Sequence, residues 1–344
     1  MKATIEPRRL AVEPPLETAG GVIAERELFL LRLESADGSF GWGEAAPLEP
    51  YDGVSPRECL DALERQVEAL EACPAGVSGP QALEAARQGS ELPQALAAVD
   101  LALWDMAGRR EGRPVVELLT DRRARQVEVN AVVGAGGPAE CAARAREAVD
   151  AGFGCVKVKV GDPAGLERVM AVREAIGEGP AIRVDANGAW SVSEAVKALN
   201  AMAPAGIELA EEPVHGVEAL RDLRGRVSVP IAADETACEP GALGGDVADA
   251  VCLKVSSAGG ISALLAQAEL ARSGGALVYL ASTLDGPLGI AAAVQCAAAL
   301  GLALPCGLAT LDRFPGLDAG VLAPVDGTIA VPTGPGLGVE PPPA

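Results

Sequence analysis

The chain has 344 residues, 49% of them hydrophobic and only 3% aromatic, enough apolar material for a large aliphatic core, which argues against intrinsic disorder. Its 48 acidic residues against 28 basic ones give a formal net charge of -20, which repels nucleic acid and anionic membrane surfaces and argues against polyanionic partners. Eight cysteines occur without a C-x-x-C pair or histidines at ligand spacing, so reduced thiols and a cytoplasmic location are expected, and Pro and charge interrupt the N-terminal MKATIEPRRLAVEPPLE before any secretory apolar region forms.

In chain order, ELFLLRLESADGSFGWGEAAP reads as a hairpin turning at Asp37-Gly38, followed by helices from about Pro56 to Leu119. Residues 1–126 are therefore expected to form an α+β capping domain. From residue 127 to 315, eight short apolar β-rich runs recur every 20 to 28 residues: VEVNAVV, CVKVKV, AIRVDA, GIELAEE, PIAADE, AVCLKV, ALVYLA and LALPCGL. Helix-compatible segments lie between them, and strand, helix and loops fill that period, so a closed α/β barrel is expected. The apolar stretch from Gly289 to Ala309 is Ala-rich and broken by Gln295 and Pro305, which reads as a buried helix plus a strand, not a membrane span. Residues 316–344 are Gly- and Pro-rich, and the run VLAPVDGTIAVP is expected to pair back onto the cap sheet.

In a parallel barrel the chemistry sits at the C-terminal ends of the strands. Here the second strand ends in Lys157-Val158-Lys159, the third in Asp185-Ala186-Asn187, the fourth in Glu211-Glu212-Pro213, the fifth in Asp234-Glu235 and the sixth in Lys254. Asp185, Glu211 and Asp234 would offer carboxylate oxygens to a hard divalent ion, leaving positions for water and a bidentate substrate carboxylate. Such an ion would stabilise the extra negative charge that appears when a proton alpha to a carboxylate is lost, and would explain how so acidic a protein holds an anion. Period-two geometry turns Lys157 and Lys159 to one face, with Lys254 opposite. Crowding and partial burial are expected to lower a lysine pKa until it can act as a base, and Lys159, nearer the mouth, is the residue assigned. A K-x-K pair alone usually marks a solvated face, and turns gather Asp and Asn at strand ends for their own reasons. Five successive strands ending in charged groups are not explained that way.

Through KVKVG, VDANG, EEP, ADE and LKVSSAGG, and in the N-terminal region GWGEAAP and AAVDLALWDMAGRREGRP, the chain resembles the enolase superfamily, in its two-lysine, muconate-lactonizing-enzyme-like subgroup. The resemblance implies a modified TIM (β/α)7β barrel under an α+β cap that the C-terminal tail completes. It also implies Mg²⁺, with Mn²⁺ as a substitute, on Asp185, Glu211 and Asp234; Lys159 as base; Lys157 as its electrostatic companion; and Lys254 as the cation on the opposite face. Strand parity leaves Glu211 against Glu212, and Asp234 against Glu235, undecided; the resemblance prefers the first of each pair. Mandelate-racemase-like members carry a catalytic histidine on the seventh strand, which ALVYLASTLDG lacks, and the single histidine, His215, reads as an ordinary loop residue.

Epimerisation, cycloisomerisation and dehydration share these lysines, so specificity is expected from the loops Thr18 to Ala24 and Glu49 to Val54 and from the ends of strands seven and eight. ASTLDGPLGIAAAVQCAAAL and PCGLATLDRF are similar to o-succinylbenzoate synthases. That resemblance implies Mg-dependent dehydration of 2-succinyl-6-hydroxy-2,4-cyclohexadiene-1-carboxylate in menaquinone biosynthesis. Lys159 would remove the proton and return it to the departing hydroxyl, Lys254 would face the ring as a cation, and Ser282, Thr283 and Asn187 would be the substrate-binding candidates. The alternatives are a dipeptide epimerase or N-acylamino acid racemase, with Asp312 available to an amine, and a muconate-type cycloisomerase. A different class is raised by Gly134, Gly136 and Ala139 in a G-x-G-x-x-A arrangement with Asp162 after the next strand, which suggests a dinucleotide site, although Pro138 removes one of the needed N–H groups. A catalytically dead barrel kept as a binding module is a further alternative. The expected partner is a small carboxylate, and self-association is left open.

Overall fold

In a computed structural model of the chain, residues 1–18 and 21–342 are described. Ala19 and Gly20, inside the loop expected to contact substrate, lie outside them. The chain opens with an antiparallel sheet in the order β1 (Lys2–Thr18), β2 (Gly21–Glu34), β3 (Phe40–Ala45). β2 and β3 are the expected hairpin, turning where Gly38 takes φ 83° and Ser39 donates its N–H to Asp37 Oδ1 at 3.1 Å. β1 was not foreseen from the sequence, and it carries Pro7, Pro14 and Pro15, residues that strands disfavour. It survives as an edge strand, where a missing N–H on the open side costs no ladder bond.

Four helices and a helical turn follow: α1 (Glu49–Asp52), α2 (Pro56–Glu71), α3 (Gly79–Gly89), α4 (Pro93–Glu111) and α5 (Val115–Leu119). Ser55 and Glu58 form a capping box at the start of α2. α4 lies so close on β3 that a Cβ at Gly43 would stand 1.9 Å from the Ala98 carbonyl oxygen, which explains the glycines of GWGEAAP.

The second sheet is parallel and runs in the order β11-β10-β9-β8-β7-β6-β5. Its strands are β5 (Ala131–Gly134), β6 (Cys155–Lys159), β7 (Ala181–Asp185), β8 (Ile207–Glu211), β9 (Ile231–Ala233), β10 (Ala250–Leu253) and β11 (Leu277–Leu280). LALPCGL is not a regular strand, yet it closes the barrel as an eighth stave. Cys306 N donates to Glu128 O at 2.8 Å and Gly307 N to Leu280 O at 2.8 Å, while Pro305 has no N–H to extend the ladder. The helices between strands are α6 (Pro138–Asp150), α7 (Gly165–Ile176), α8 (Val192–Met202), α9 (Val217–Arg224), α10 (Val255–Ala258), α11 (Ile261–Ser273) and α12 (Pro287–Leu300). After β9 the chain makes only a 3₁₀ turn, Glu235–Cys238. Pro240 and several glycines break any helix there, and Gly245 backs so closely on Gly274 that a Cβ would meet its carbonyl oxygen at 1.6 Å. α12, buried on nearly every side, accounts for the apolar stretch, and no helix among the described residues is long and apolar enough to cross a membrane.

Two expectations need correction. VEVNAVV is two strands: β4 (Gln126–Glu128) pairs with the tail, and only β5 joins the seven-stranded parallel sheet. The tail run forms β12 (Thr328–Ala330), which pairs with β4 at Ile329 and Val127 instead of joining the cap sheet. The tail reaches the cap through its helices: Leu337 N donates to Asp105 Oδ1 at 2.7 Å, and Val115 N donates to Gly336 O at 2.8 Å.

Candidate active site

Register places the charged groups side by side. Lys159 pairs with Asp185 across β6 and β7, and Asp185 with Glu211 across β7 and β8. Asp185, Glu211, Asp234 and Lys254 are all buried. Lys157 Nζ lies 2.6 Å from Glu211 Oε1 and 2.9 Å from Asp185 Oδ2, and Lys159 Nζ lies 2.6 Å from both Asp185 Oδ2 and Asn187 Oδ1. Lys254 pairs with Asp234 on the other side of the mouth. The side chain of Lys159 is 31% exposed, against 14% for Lys157 and 5% for Lys254, so of the three it opens furthest toward an incoming ligand.

The geometry sets the members of each ambiguous pair apart. Glu211 points inward to Lys157 and accepts a hydrogen bond from Tyr279 OH at 2.7 Å. Glu212, at φ 38°, turns away and accepts from Asp234 N at 2.8 Å, from Thr236 N at 3.1 Å and from the Thr236 hydroxyl. It is a strut between the fourth and fifth strand ends, and burial pushes its carboxyl up to about 7. Asp234 faces Lys254, whereas Glu235 accepts from Asn187 Nδ2 at 2.9 Å. His215 lies 2.9 Å from Glu212 Oε1 through Nδ1 and is well exposed, a loop residue braced against the strut.

The sequence reading missed two tyrosines. Tyr51, on α1 of the cap, sets its hydroxyl 2.6 Å from Lys254 Nζ and donates to Asp234 Oδ1 at 3.0 Å, with its ring centroid 4.4 Å from the ammonium. The Glu49 to Val54 loop had been singled out, but not this residue. Tyr279, buried inside the barrel beneath Glu211, was legible only as a polar aromatic in an otherwise aliphatic strand.

Lys157 and Lys254, the two lysines not assigned as the base, are held in their charged forms. Burial disfavours the charge on Lys157, but Asp185, Glu211 and Asp234 outweigh it and leave the group well above an ordinary lysine. Lys254 is likewise held well above, burial being outweighed chiefly by Asp234. Burial and the neighbouring carboxylates Asp185 and Asp234 push Glu211 up, although Lys157 opposes them. Carboxylates crowded this way repel one another, which is the charge problem a divalent cation relieves.

The donor set suits such a cation. Ligand atoms of Glu211, Asp234 and Cys252 lie within 4.8 Å of one another. Asp185 stands outside that tightest trio because Lys157 and Lys159 draw its carboxylate toward β6. Burial holds the Cys252 thiol well above its usual range, and a protonated sulfur is a poor ligand for a hard ion, so the oxygens of Asp185, Glu211 and Asp234 form the matching set.

The substrate-binding candidates separate. Thr283 is buried in an internal network, donating to Asp285 Oδ1 at 2.8 Å and lying 3.1 Å from Ser256 Oγ. Ser282 Oγ accepts from Asp285 N at 2.9 Å and from Thr310 Oγ1 at 3.2 Å, which leaves its own proton to donate. Asp312 is exposed on a 3₁₀ turn. The dinucleotide reading fails on geometry: Glu140 crowds Gly136, where a Cβ would meet its Oε2 at 2.5 Å, and Asp162 pairs with Arg168.

Residues 140–344 match the family described as enolase C-terminal domain-like, and residues 1–120 match the mandelate racemase/muconate lactonizing enzyme N-terminal domain. The chain is 43% identical over 222 residues to an o-succinylbenzoate synthase of Mycobacterium tuberculosis, covering 61% of this chain and 65% of that protein, so it spans just under two thirds of that relative's length. It is 35% identical over 308 residues to an o-succinylbenzoate synthase of Thermobifida fusca, covering 86% and 78% of the two chains. It is also 30% identical to the L-Ala-D/L-Glu epimerase of Bacillus subtilis, covering 97% and 95%. The crystal structure of a dipeptide epimerase from Enterococcus faecalis, complexed with Mg and the dipeptide L-Leu-L-Tyr, superposes with a TM-score of 0.89 at 27% identity over 98% of each chain. With both domain families matched in order along the chain, this protein is an enzyme of the enolase superfamily.

Proposed function

We propose that the protein is an o-succinylbenzoate synthase that dehydrates 2-succinyl-6-hydroxy-2,4-cyclohexadiene-1-carboxylate, a reaction of menaquinone biosynthesis. The observation that carries the chemistry is the mouth itself, where Lys159 and Lys254 stand on opposite sides of three buried carboxylates. Lys159 takes the C1 proton, alpha to the carboxylate. The C6–O bond then breaks, the oxygen leaves as water carrying that proton, and a C1–C6 double bond completes the aromatic ring. Asn187, 2.6 Å from Lys159 Nζ, orients the base. Lys254, kept cationic by Asp234, places positive charge against the ring face. Mg²⁺ or Mn²⁺, held by Asp185, Glu211 and Asp234, would supply Lewis-acid stabilisation of the negative charge gained by the substrate carboxylate. Ser282 donates its free hydroxyl proton to the succinyl carboxylate.

Within the superfamily, the relatives from Thermobifida fusca and Mycobacterium tuberculosis support the synthase, as does the exposure of Asp312, which makes it a poor partner for a substrate ammonium group. The second reading, an epimerase of dipeptides or N-acylamino acids, draws on the Bacillus subtilis relative and on the paired lysines. Incubating the purified protein with the cyclohexadiene substrate and Mg²⁺ tests the choice: the synthase converts diene absorbance to that of the aromatic product. Absence of turnover, together with deuterium incorporation into a dipeptide panel in D₂O, would overturn it in favour of the epimerase.

A further inference from the structure

GWGEAAP and STLDGPLG meet at a buried cluster that the proposed chemistry does not use. Arg26 of β2, Glu44 of β3 and Asp285, in the loop after β11, are each no more than 2% exposed. The Arg26 guanidinium donates from Nε to the Leu284 carbonyl at 3.2 Å and from Nη1 to the Pro47 carbonyl, tying the barrel loop to the cap segment that leads into α1. Glu44 Oε1 accepts from Gly286 N at 2.7 Å, just before α12. The approach is tight: a Cβ at Gly286 would stand 2.5 Å from Glu44 Oε2, and one at Gly289 would stand 2.8 Å from both Glu44 Oε1 and Asp285 Cβ. Leu284 between them takes φ 58°, a conformation an L-residue holds only when its surroundings dictate it.

Within this cluster Arg26 Nη2, Glu44 Oε2 and Asp285 Oδ2 are all buried without a hydrogen-bond partner. Two carboxyls face one guanidinium in this buried cluster, which carries one negative charge more than the guanidinium balances, and one proton placed between the acids removes it. We propose that Arg26, Glu44 and Asp285 are positioning residues, a latch that shares one proton between its two acids and fixes the loop carrying Ser282 against the mouth of the barrel.

The other charged or titratable groups around the latch are Asp52 and Cys59 near Arg26, and Lys254 near Asp285. Burial, reinforced by Asp285, raises Glu44 from 4.5 to about 8. The folded chain therefore keeps a proton that the unfolded chain releases, so this contribution to stability is full below 4.5 and is lost as pH rises toward 8.

Glu44→Gln mimics the protonated acid, since its amide oxygen still accepts from Gly286 N and its NH₂ can donate to Asp285. Thermal melts from pH 6 to 9 should show the Tm of Glu44→Gln rising relative to wild type as pH increases; a difference that stays constant, or that reverses, overturns the latch. The second arm rests on the proposed substrate site. Arg26→Lys, which keeps the charge but cannot bridge Leu284 and Pro47, should raise KM about tenfold, as expected for one hydrogen bond's worth of loop positioning, with kcat within about twofold. A fall in kcat at unchanged KM is what mere loss of folded protein would give, and it refutes the positioning role. The melting arm needs no substrate, so its failure sinks the latch while leaving the proposed function standing.

Discussion

Removing the Asp105 carboxylate should release the C-terminal tail from the cap. Asp105, on α4, is completely buried; its Oδ2 accepts from Trp42 N at 2.8 Å and Arg109 Nε at 2.7 Å, and its Oδ1 from Leu337 N at 2.7 Å. In Asp105→Ala one buried and one partly buried backbone N–H lose their acceptor, at about 1–3 kcal/mol each, and the partly exposed Arg109 pair adds at most about 1 kcal/mol. Burial raises the Asp105 pKa, so the variant also escapes some desolvation penalty, and the net loss should be about 3 kcal/mol. Asp105→Asn keeps the volume but turns one acceptor into a donor facing an N–H, so it should recover little of that loss. Gly336→Ala should imitate the damage from the other side, because its Cβ would stand 2.0 Å from Asp105 Oδ1 at a φ of 71°. Urea unfolding followed by tryptophan fluorescence measures these losses. A change under about 1 kcal/mol in Asp105→Ala would refute the reasoning that this carboxylate anchors strand and tail together.

Gly43→Ala should destabilise the cap by at least about 3 kcal/mol, since the clash is with the backbone of α4 and no side chain can move aside; a melt close to wild type would contradict this. Tyr51→Phe removes the hydroxyl shared by Lys254 and Asp234 while keeping the ring. Steady-state kinetics should show kcat/KM reduced about ten- to a hundredfold, the equivalent of one hydrogen bond to a charged group, and an unchanged value would remove Tyr51 from the site. Chelation with EDTA should abolish turnover and added Mg²⁺ restore it; full activity in EDTA would exclude the three carboxylates as a metal site.

The barrel was legible because its signal is repetition. Strands ending in Lys159, Asp185, Glu211, Asp234 and Lys254 recur at a barrel's period, and parallel register sets those ends side by side. What stayed hidden depends on pairing between distant segments. β1 carries three prolines that only an edge position in a sheet tolerates, and nothing local in the sequence gives that position. The tail strand had an apolar pattern but nothing to name β4 as its partner. Period two sets Glu211 and Glu212 on opposite faces without saying which is inward, and the positive φ that turns Glu212 to the neighbouring strand end is seen only in the fold. That Lys157 and Lys254 stay charged depends on carboxylates from other strands that only the folded mouth brings beside them. Tyr51 reaches Lys254 only because the cap docks on the barrel.

The central claim is that Lys159 is the base that removes the proton alpha to the substrate carboxylate. Lys159→Ala tests it directly: with Mg²⁺ and the cyclohexadiene substrate, and with circular dichroism confirming a folded protein, the rate of aromatic product formation is compared with wild type. The account predicts a loss of about 10²- to 10⁴-fold or more. Full activity in a folded Lys159→Ala protein would contradict it.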